Sequence, residues 1–123
     1  MKALILIFIL LVPQVCYGKE LTASWYSVSS LIQEGTRKFG EKPTMANGKE
    51  FKDEDMVCAS WDYPLNTWLL VKNVKTGVSV IVKNSDRTAR RFKGKRIDLS
   101  KKAFNLLASL SQGIIQVEVT KLK

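Results

Sequence analysis

Short β-strand patterns separated by turn signals extend over most of this chain, and few folds accommodate them. Residues 21–28, 68–74 and 78–83 are rich in β-branched and aromatic side chains, which favours strands. Residues 115–119 alternate apolar with polar side chains, which predicts a strand with one buried and one solvent-facing side. Segment 29–43 is polar and contains glycine, so we expect a long loop there.

A single amphipathic helix completes the pattern. Apolar side chains recur at helical spacing between Ala103 and Leu110, and Ser100 precedes them as a good N-cap residue. Several short strands with turns between them and one helix predict a small closed β-barrel, because closure removes the exposed edges of the sheet. We therefore expect a mainly β fold.

Residues 1–18 have the pattern of a secretory signal peptide. Lys2 precedes an uncharged apolar run at residues 3–12, which is shorter than the roughly 20 apolar residues that span a bilayer. A basic start, a short apolar run and small residues at the cleavage site are typical of exported proteins. We predict cleavage after Gly18, an exported single domain at residues 19–123 and no stable membrane span. A lipid anchor at Cys16 is the less favoured alternative, because small residues do not precede it.

The chain is strongly basic, with 20 Lys and Arg against 11 Asp and Glu and a formal net charge of +9. In an exported protein this charge favours an anionic partner such as cell-wall glycan, teichoic acid or lipid headgroups. Export argues against nucleic acid, the other common partner of basic proteins. The densest basic run lies between Arg87 and Arg96, and it predicts either attraction to an anionic wall polymer or an ordinary solvated loop. No long cationic amphipathic helix is evident, which disfavours action on membranes.

The cysteine and histidine content disfavours several kinds of site. Cys16 falls within the predicted signal peptide, which leaves Cys58 alone, and the chain has no His. One thiol cannot build a disulfide framework or the usual four-ligand zinc site. Because Cys58 lies in an apolar segment, we predict a buried, inert thiol. We expect no metal, no cofactor and a monomeric protein.

Asp86 is the best candidate for chemistry, since it follows a predicted strand at the start of a charged loop. A carboxylate at a strand end is held by a rigid element and faces an open loop. The alternative is an aspartate that bonds its own backbone to start a turn. The cations that follow would favour an ion pair with this carboxylate. We expect Asp98, just before the helix, to cap or orient the helix start rather than to catalyse.

Several aromatic side chains lie beside polar residues and offer flat faces on which sugar rings could stack. Core packing is the alternative for each ring taken singly. Trp61 and Tyr63 flank Asp62 just ahead of Pro64, a sequence typical of loops, so we expect these two rings to be exposed. The rings in question are Trp25, Tyr26, Trp61 and Tyr63.

Four motifs resemble, in order and spacing, those of the rare lipoprotein A (RlpA) family. They are Ala-Ser-Trp-Tyr at residues 23–26, Met-Ala-Asn-Gly at 45–48 with Phe51 after it, the strand leading to Asp86 and Arg87, and Arg-Ile-Asp-Leu-Ser at 96–100. The resemblance covers nearly all of the chain after residue 18. It implies a six-stranded double-psi β-barrel with one or two short helices, a fold shared with expansins, barwin-like proteins and some lytic transglycosylases.

The resemblance also implies a reaction. Better-studied family members cleave bare peptidoglycan glycan strands between sugars without using water. The substrate's own 6-hydroxyl is then the nucleophile, and its proximity replaces the second catalytic carboxyl that a hydrolase needs. A single carboxyl can protonate the leaving oxygen and later accept the hydroxyl proton. Asp86 matches the family's aspartate at the strand end, so the resemblance assigns this role to Asp86.

Two positions differ from the family pattern. Lys49 stands where we expect a Glu after the Asn-Gly turn, and Ser60 stands where we expect a His, which resembles a His-less branch of the family. Glu50 is one residue along, although in an extended segment its side chain would point to the opposite face. Our catalytic candidates are therefore Asp86 and Glu50. Our substrate-binding candidates are Trp61, Tyr63, Tyr26, Arg87, Lys49 and Ser60.

These features predict an exported lytic transglycosylase that acts on peptidoglycan glycan strands. The alternative is a non-catalytic glycan-binding or wall-loosening module that uses the same groove, in the manner of expansins.

Overall fold

A computed structural model of the protein describes residues 18–33 and 43–122, and most of them lie in six strands and two short helices. The predicted signal peptide, apart from Gly18, lies outside the described residues. In the part that is described, no helix has the length and apolar character needed to cross a membrane. The strands are β1 Lys19–Tyr26, β2 Val57–Ala59, β3 Thr67–Asn73, β4 Ser79–Asp86, β5 Arg96–Ser100 and β6 Ile115–Lys121, and the helices are α1 Val28–Gln33 and α2 Lys101–Leu107.

The six strands close into one barrel in the order β1, β5, β2, β4, β3, β6, and β6 pairs back onto β1. The pairs β1–β5 and β2–β4 are parallel, and the remaining pairs are antiparallel. Every strand therefore has a partner on both sides, which removes the free edges on which sheets aggregate. The prediction of a mainly β, six-stranded closed barrel is confirmed.

The strand patterns in the sequence locate β1, β3, β4 and β6 to within a few residues, and helix α2 begins where predicted. Ser100 caps α2, because its Oγ accepts a hydrogen bond from the N–H of Ala103. The patterns do not reveal β2, which has only three residues, or β5, which begins inside the basic run.

The expectation of a loop throughout residues 29–43 is wrong at its start, where α1 forms, and residues 34–42 lie outside the described part of the chain. Two serines cap this helix: the N–H of Ser30 donates to Oγ of Ser27 at 3.1 Å, and the N–H of Ser27 donates to Oγ of Ser30 at 2.8 Å. Asp53 Oδ1 also accepts a hydrogen bond from the N–H of Val28 at 2.8 Å. These contacts satisfy donors that the first turn of a helix leaves open, which allows a short helix to form in a polar sequence.

The main core fills the barrel with side chains from the inward-facing positions of the strands. Along β1, Leu21 and Ala23 point inward, and Ile97 and Leu99 do the same along β5. Helix α2 adds three buried residues to this core, and burial of such apolar surface is the dominant favourable term in folding. The buried residues that complete the cluster are Cys58, Leu69, Val71, Val82, Ala103, Phe104, Leu107, Ile115, Val117 and Val119.

Asn84 is a fully buried polar residue that ties the barrel to a surface loop. Its Nδ2 donates to the carbonyl oxygen of Tyr63 at 2.8 Å, and lies 3.3 and 3.4 Å from those of Pro64 and Ser60. The main-chain carbonyl oxygen of Asn84 accepts a hydrogen bond from the N–H of Asn66 at 2.7 Å. One buried side chain therefore donates to the main chain of a surface loop and holds it against the barrel.

Cys58 is free and fully buried, as predicted. Burial raises the pKa of its thiol far above the ordinary value, so the reactive thiolate is disfavoured.

A second, smaller apolar cluster lies outside the barrel wall. Met45, Phe51 and Val57 form its buried part, and α1 packs against it through Val28 and Leu31. The ring of Tyr26 lies 4.7 Å from that of Phe51, and its hydroxyl is buried without a hydrogen-bond partner among the described residues. Burial first, and then the charge of Asp86, raise the pKa of Tyr26 above its ordinary value of 10.0.

We expect Asn84→Ala to lower the free energy of unfolding by about 1 to 3 kcal/mol, because it removes the buried hydrogen bonds that tie the surface loop to the barrel. Urea unfolding with an unchanged slope measures this loss. Asn105→Ala is the control: Asn105 is exposed on α2, and its replacement should change stability by no more than about 0.5 kcal/mol. Equal stability of the two variants would contradict the role given to Asn84.

Tyr26 should make the protein sensitive to alkali. The pKa of Tyr26 is higher in the folded than in the unfolded chain, so above about pH 10 the tyrosine of the unfolded chain ionises first. The contribution of Tyr26 to the free energy of unfolding is therefore complete below about pH 10 and is lost as the pH rises further. We expect Tyr26→Phe to lose less stability than the wild type between pH 8 and pH 11, in urea unfolding at both values. At pH 8 the variant should be at least as stable, since the hydroxyl makes no hydrogen bond in the described part of the chain. An identical loss in both proteins would show that another group carries the effect.

Candidate functional site

Four neighbouring strands place a row of side chains across the outer face of the barrel. Ala59 on β2 is in register with Asp86 on β4 and with Asp98 on β5. On the other side of β5, Asp98 is in register with Ser24 on β1. Residues in register on paired strands share a face of the sheet, so both carboxylates lie on one face, with Ala59 between them.

A shift in strand pairing turns Asp86 to this face. Cys58 pairs with Asn84 and Ala59 pairs with Asp86, which leaves Ser85 as an extra residue in β4. Side chains alternate along a regular strand, so without the extra residue Asp86 would share the inward face of Asn84. A bulge of one residue reverses that orientation. Strand β4 thereby ends in a carboxylate that faces outward.

A cavity of about 460 Å³ lies over this row and contains both carboxylates. Aromatic rings of Trp25, Tyr26 and Phe92 form part of its wall, and Nε1 of Trp25 is fixed by a 3.1 Å hydrogen bond to the carbonyl oxygen of Leu110. The cavity is large enough for a sugar ring and is partly aromatic, which are common properties of ligand sites. The remaining lining residues are Leu31, Ala59, Arg87, Thr88, Ala89, Arg91 and Arg96.

Main-chain donors hold one oxygen of the Asp86 carboxylate. Oδ1 accepts hydrogen bonds from the N–H of Ala46 at 3.0 Å and from the N–H of Arg87 at 2.9 Å. The Ala46 donor comes from the turn at residues 45–48, which Gly48 closes with a positive φ of 87° and a 2.9 Å hydrogen bond from its N–H to the carbonyl oxygen of Met45. Within the described residues, no group bonds Oδ2, so this oxygen is available to a ligand.

Asp98 is held by two side chains from neighbouring positions. Its Oδ1 accepts hydrogen bonds from Oγ of Ser24 and from Nε of Arg96, the latter at 2.8 Å. The expectation that Asp98 caps the helix is wrong, because Asp98 lies within β5 and Ser100 provides the cap of α2. Since Ile97 and Leu99 point into the core, Asp98 between them must point out toward the cavity.

Three guanidinium groups of the basic run line the same cavity as Asp86. Across residues 18–33 and 43–122, no Lys or Arg forms an ion pair with this carboxylate. Nη1 of Arg87 instead donates to the carbonyl oxygens of Ser60 at 2.6 Å and Tyr63 at 2.7 Å. The expected ion pair at Asp86 is therefore wrong for the described residues, because main-chain acceptors take the nearest guanidinium.

Three predicted binding residues belong to the loop at residues 60–66 between β2 and β3, which we call the supporting loop. Nε1 of Trp61 donates to the carbonyl oxygen of Thr88 at 2.6 Å, and the guanidinium carbons of Arg87 and Arg90 lie 5.0 and 5.1 Å from its ring centroid. Tyr63 is half-buried against the core, and burial raises the pKa of its hydroxyl. Ser60 is fully buried. None of these three side chains lines the cavity. Trp61 and Tyr63 are half-buried and so less exposed than expected.

Two further candidates are exposed and lie away from the cavity lining. Lys49 and Glu50 follow the turn at residues 45–48, and Glu50 bridges Thr44 through the backbone. The structure therefore does not bring Glu50 to Asp86, as strand alternation already suggested. Among the predicted site residues, it brings Asp86, Tyr26 and Arg87 together at the cavity.

Sequence reasoning missed the part that Asp98, Arg91 and Phe92 have in the cavity wall. One signal was present: the alternation of Arg96, Ile97, Asp98 and Leu99 is that of a strand and points Asp98 outward. No comparable pattern identifies Arg91 or Phe92, which enter the wall from the short 3-10 helix Arg90–Phe92.

Comparisons with solved structures show the same fold in proteins of low sequence identity. An expansin of Clavibacter michiganensis in complex with cellohexaose superposes with a TM-score of 0.62 at 20% identity, over 85% of this chain and 50% of the expansin. The Streptomyces papain inhibitor superposes with a TM-score of 0.57 at 18% identity, over 87% of this chain and 99% of the inhibitor.

Sequence comparisons identify the relatives. An uncharacterized protein of Synechocystis sp. is 39% identical over 88 residues, which are 72% of this chain and 90% of that protein. Two proteins named probable endolytic peptidoglycan transglycosylase RlpA are 34% identical over 102 residues, in Nostoc sp., and 35% identical over 101 residues, in Aquifex aeolicus. These matches cover 83% and 82% of this chain but only 27% and 40% of the two relatives. The sequence model of the family described as lytic transglycolase matches residues 19–119, and with these relatives it shows that the chain belongs to the RlpA family and carries its double-psi β-barrel domain.

Proposed function

We propose that this protein binds peptidoglycan glycan strands in the cavity and cleaves them as an endolytic lytic transglycosylase. The named activity of the two RlpA relatives supports this reaction class. The observation that carries the proposal is Asp86, whose carboxylate lines the cavity with Oδ1 held by two main-chain donors. A rigid carboxylate beside a sugar-sized cavity is what a single-residue acid and base needs.

The proposed reaction needs one proton-transferring group. Asp86, protonated on Oδ2, gives its proton to the bridging oxygen as the bond from that oxygen to the anomeric carbon breaks. The 6-hydroxyl oxygen of the same sugar bonds to the anomeric carbon, and its proton passes to the Asp86 carboxylate. No water is consumed, Asp86 is regenerated, and the product carries a 1,6-anhydro end. Attack within one sugar ring has the advantage of proximity.

Asp98 has a supporting role in this proposal. Positive charge develops at the anomeric carbon in the transition state of glycosidic cleavage. Hydrogen bonds from Ser24 and Arg96 fix the Asp98 carboxylate in the same cavity, where a preorganised negative charge stabilises that state. Asp98 thereby acts electrostatically, while Asp86 transfers the protons.

The second candidate function is glycan binding without cleavage. Lys49 and Ser60 stand at the positions where the family pattern has Glu and His, and neither side chain lines the cavity. The structural similarity to an expansin that was solved with cellohexaose favours a glycan groove in either case. A binding module would use the same aromatic wall but leave the strand intact.

Both candidates act on the cell wall, so we propose that the protein is exported. Cleavage after Gly18 would leave Lys19, the first residue of β1, at the N-terminus. The basic run between Arg87 and Arg96 would then face an anionic wall polymer, as the net charge suggests.

We expect Asp86→Asn to reduce the formation of anhydro-muramyl ends from denuded glycan strands by at least about 100-fold, because it removes the proton donor. Mass spectrometry of the products measures these ends. The Asn side-chain oxygen can still accept the hydrogen bonds from Ala46 and Arg87, so the variant should remain folded. Glu20→Gln, a matched change at an exposed carboxylate on β1, is the control.

The same assay separates the two candidate functions. Anhydro ends that depend on Asp86 support the lytic transglycosylase. Retention of denuded strands by the wild type and by Asp86→Asn, with no cleavage by either, supports the binding module. Cleavage that persists in Asp86→Asn would remove Asp86 from the mechanism.

A further inference from the structure

The exposed apolar side chains of the barrel lie mostly in one region. Among the described residues, six large apolar side chains are between 47% and 59% exposed. Five of them lie on the hairpin that β3 and β4 form or just before β6, and the sixth, Leu106, lies on α2. A concentration of exposed apolar side chains on a small protein marks an interaction site. We call these five residues the hairpin surface: Trp68, Val74, Val78, Ile81 and Ile114.

Strand alternation directs this surface away from the core. Leu69, Val71 and Val82 are buried inside the barrel. Trp68 and Ile81 lie beside them along β3 and β4, so their side chains point outward. Neither is therefore available to the core that fills the barrel.

The start of β6 extends the hairpin surface. The N–H of Val74, at the turn between β3 and β4, donates to the carbonyl oxygen of Gln116 at 3.1 Å. Ile114 lies two residues before Gln116 and so is close to this turn. The surface thus reaches from Trp68 along the hairpin to the turn and across to Ile114.

The charges along the hairpin are positive. Residues 67–83 contain no Asp or Glu. Nζ of Lys83 lies 5.7 Å from the centroid of the Trp68 ring, and Nζ of Lys72 lies 4.0 Å from the carboxylate of Glu118 on β6. Lysines therefore lie among and beside the exposed apolar side chains. The lysines of this segment are Lys72, Lys75 and Lys83.

This combination limits what could cover the surface. A second copy would bring the same lysines together, and residues 67–83 have no acidic side chain to offset the repulsion. A soluble polyanion would pair with the lysines but leave the apolar side chains in water. A sugar chain stacks on flat rings, whereas four of the five side chains are aliphatic.

An anionic membrane surface matches both features of the hairpin. Trp side chains favour the level of the lipid headgroups, and aliphatic side chains are buried at the boundary with the acyl chains. Lys side chains extend to the headgroup phosphates, which attract them electrostatically. Strands can present these side chains as well as an amphipathic helix can.

We propose that the hairpin surface docks the protein onto a membrane surface that contains anionic phospholipid. Trp68 lies at the headgroups, and the lysines of residues 67–83 pair with phosphate groups. This docking goes beyond the proposed function, since it requires neither a glycan in the cavity nor cleavage of one.

Docking through this surface orients the cavity. In the ring of six strands, β3 is three places from β5, and β6 is three places from β2. Asp98 on β5 and Ala59 on β2 lie in the middle of the cavity row. The cavity is therefore on the side of the barrel opposite β3 and β6, and it faces away from a membrane that is bound there.

Binding to vesicles tests the proposal. The predicted mature form, which begins at Lys19, keeps all six strands and lacks the apolar run at residues 3–12, which would itself bind lipid. We expect its affinity in co-sedimentation to be at least about tenfold higher for phosphatidylcholine vesicles with about one third phosphatidylglycerol than for phosphatidylcholine alone. Absence of binding to both kinds of vesicle at low salt would overturn the proposal.

An apolar double variant tests the contribution of the exposed side chains. Trp68→Thr with Ile81→Thr removes apolar surface but keeps residues that favour strands. We expect this variant to bind the anionic vesicles at least about tenfold more weakly, because less apolar surface enters the interface. Unchanged binding would show that the hairpin does not contact lipid.

A charge double variant has a matched control. Lys75→Gln with Lys83→Gln should weaken binding to the anionic vesicles by about tenfold. Lys101→Gln with Lys102→Gln removes the same charge from exposed positions at the start of α2, directly after β5, and should keep most of the binding. An equal loss in both variants would overturn the proposal in favour of general attraction by the net charge.

Fluorescence quenching locates the contact with lipid. Trp25 lies in the cavity wall and Trp61 in the supporting loop, so vesicles with brominated acyl chains should quench Trp68 selectively. The quenched component should disappear in Trp68→Phe, which keeps an aromatic ring and should still bind. Quenching that persists in this variant would place the contact elsewhere on the protein and overturn the proposal.

Two other occupants of the hairpin surface have distinct signatures. Dimers in sedimentation that the Trp68→Thr, Ile81→Thr variant abolishes, without vesicle binding, would show that a second copy covers the surface. Binding of soluble polyphosphate through Lys75 and Lys83, without vesicle binding, would show a soluble polyanion. Either result overturns membrane docking and leaves the role proposed for Asp86 untouched.

Discussion

The one-residue shift in the pairing of β2 with β4 is the constraint on which the rest of this site depends. Before the shift, Asn84 faces inward, where its amide holds the carbonyl groups of a surface loop. After it, Asp86 faces outward, where the turn at residues 45–48 supplies a main-chain donor. A single strand end thus provides a structural anchor on one face and a candidate catalytic group on the other. Without the bulge, the side chains of residues 84 and 86 would point to the same face of β4, and one could not anchor the loop while the other faces the cavity.

The strands that have one buried and one solvent-facing side were predictable from the sequence. β6 shows this alternation clearly, and β1, β3 and β4 are long enough to be recognised from their β-branched and aromatic residues. β2 has three residues that are all buried, so no alternation marks it. The two parallel pairings join segments far apart in the chain, and local patterns carry no information about such partners. The strand and turn pattern predicted a small closed barrel, and the resemblance to the RlpA family supplied its six-stranded double-psi topology.

The site was less predictable than the fold, because its contacts depend on main-chain groups. A sequence identifies Asp86 as a carboxylate at a strand end, but it cannot show that Arg87 turns toward carbonyl oxygens instead of toward Asp86. A count of charges along the sequence treats every nearby Lys and Arg as a partner of the Asp86 carboxylate. In the folded chain Arg87 supports a loop and Arg96 binds Asp98. The position of Asp98 in the cavity likewise depends on the register between β1 and β5, which is a property of the assembled barrel.

The same main-chain contacts explain how Ser60 can occupy the position where the resemblance to the RlpA family implies a His. The supporting loop is held by donors to the carbonyl oxygens of Ser60 and Tyr63, and these acceptors exist whatever side chain stands at position 60. Asn84 and Arg87, which provide the donors, lie on either side of the strand end that carries Asp86. A Ser in place of the implied His therefore need not move Asp86, since the hydrogen bonds that fix the loop do not pass through the side chain at position 60. It follows that the geometry around Asp86 depends on Asn84 and Arg87 more than on the side chain at position 60. The cavity keeps two carboxylates that hydrogen bonds hold in place, whichever residue stands there.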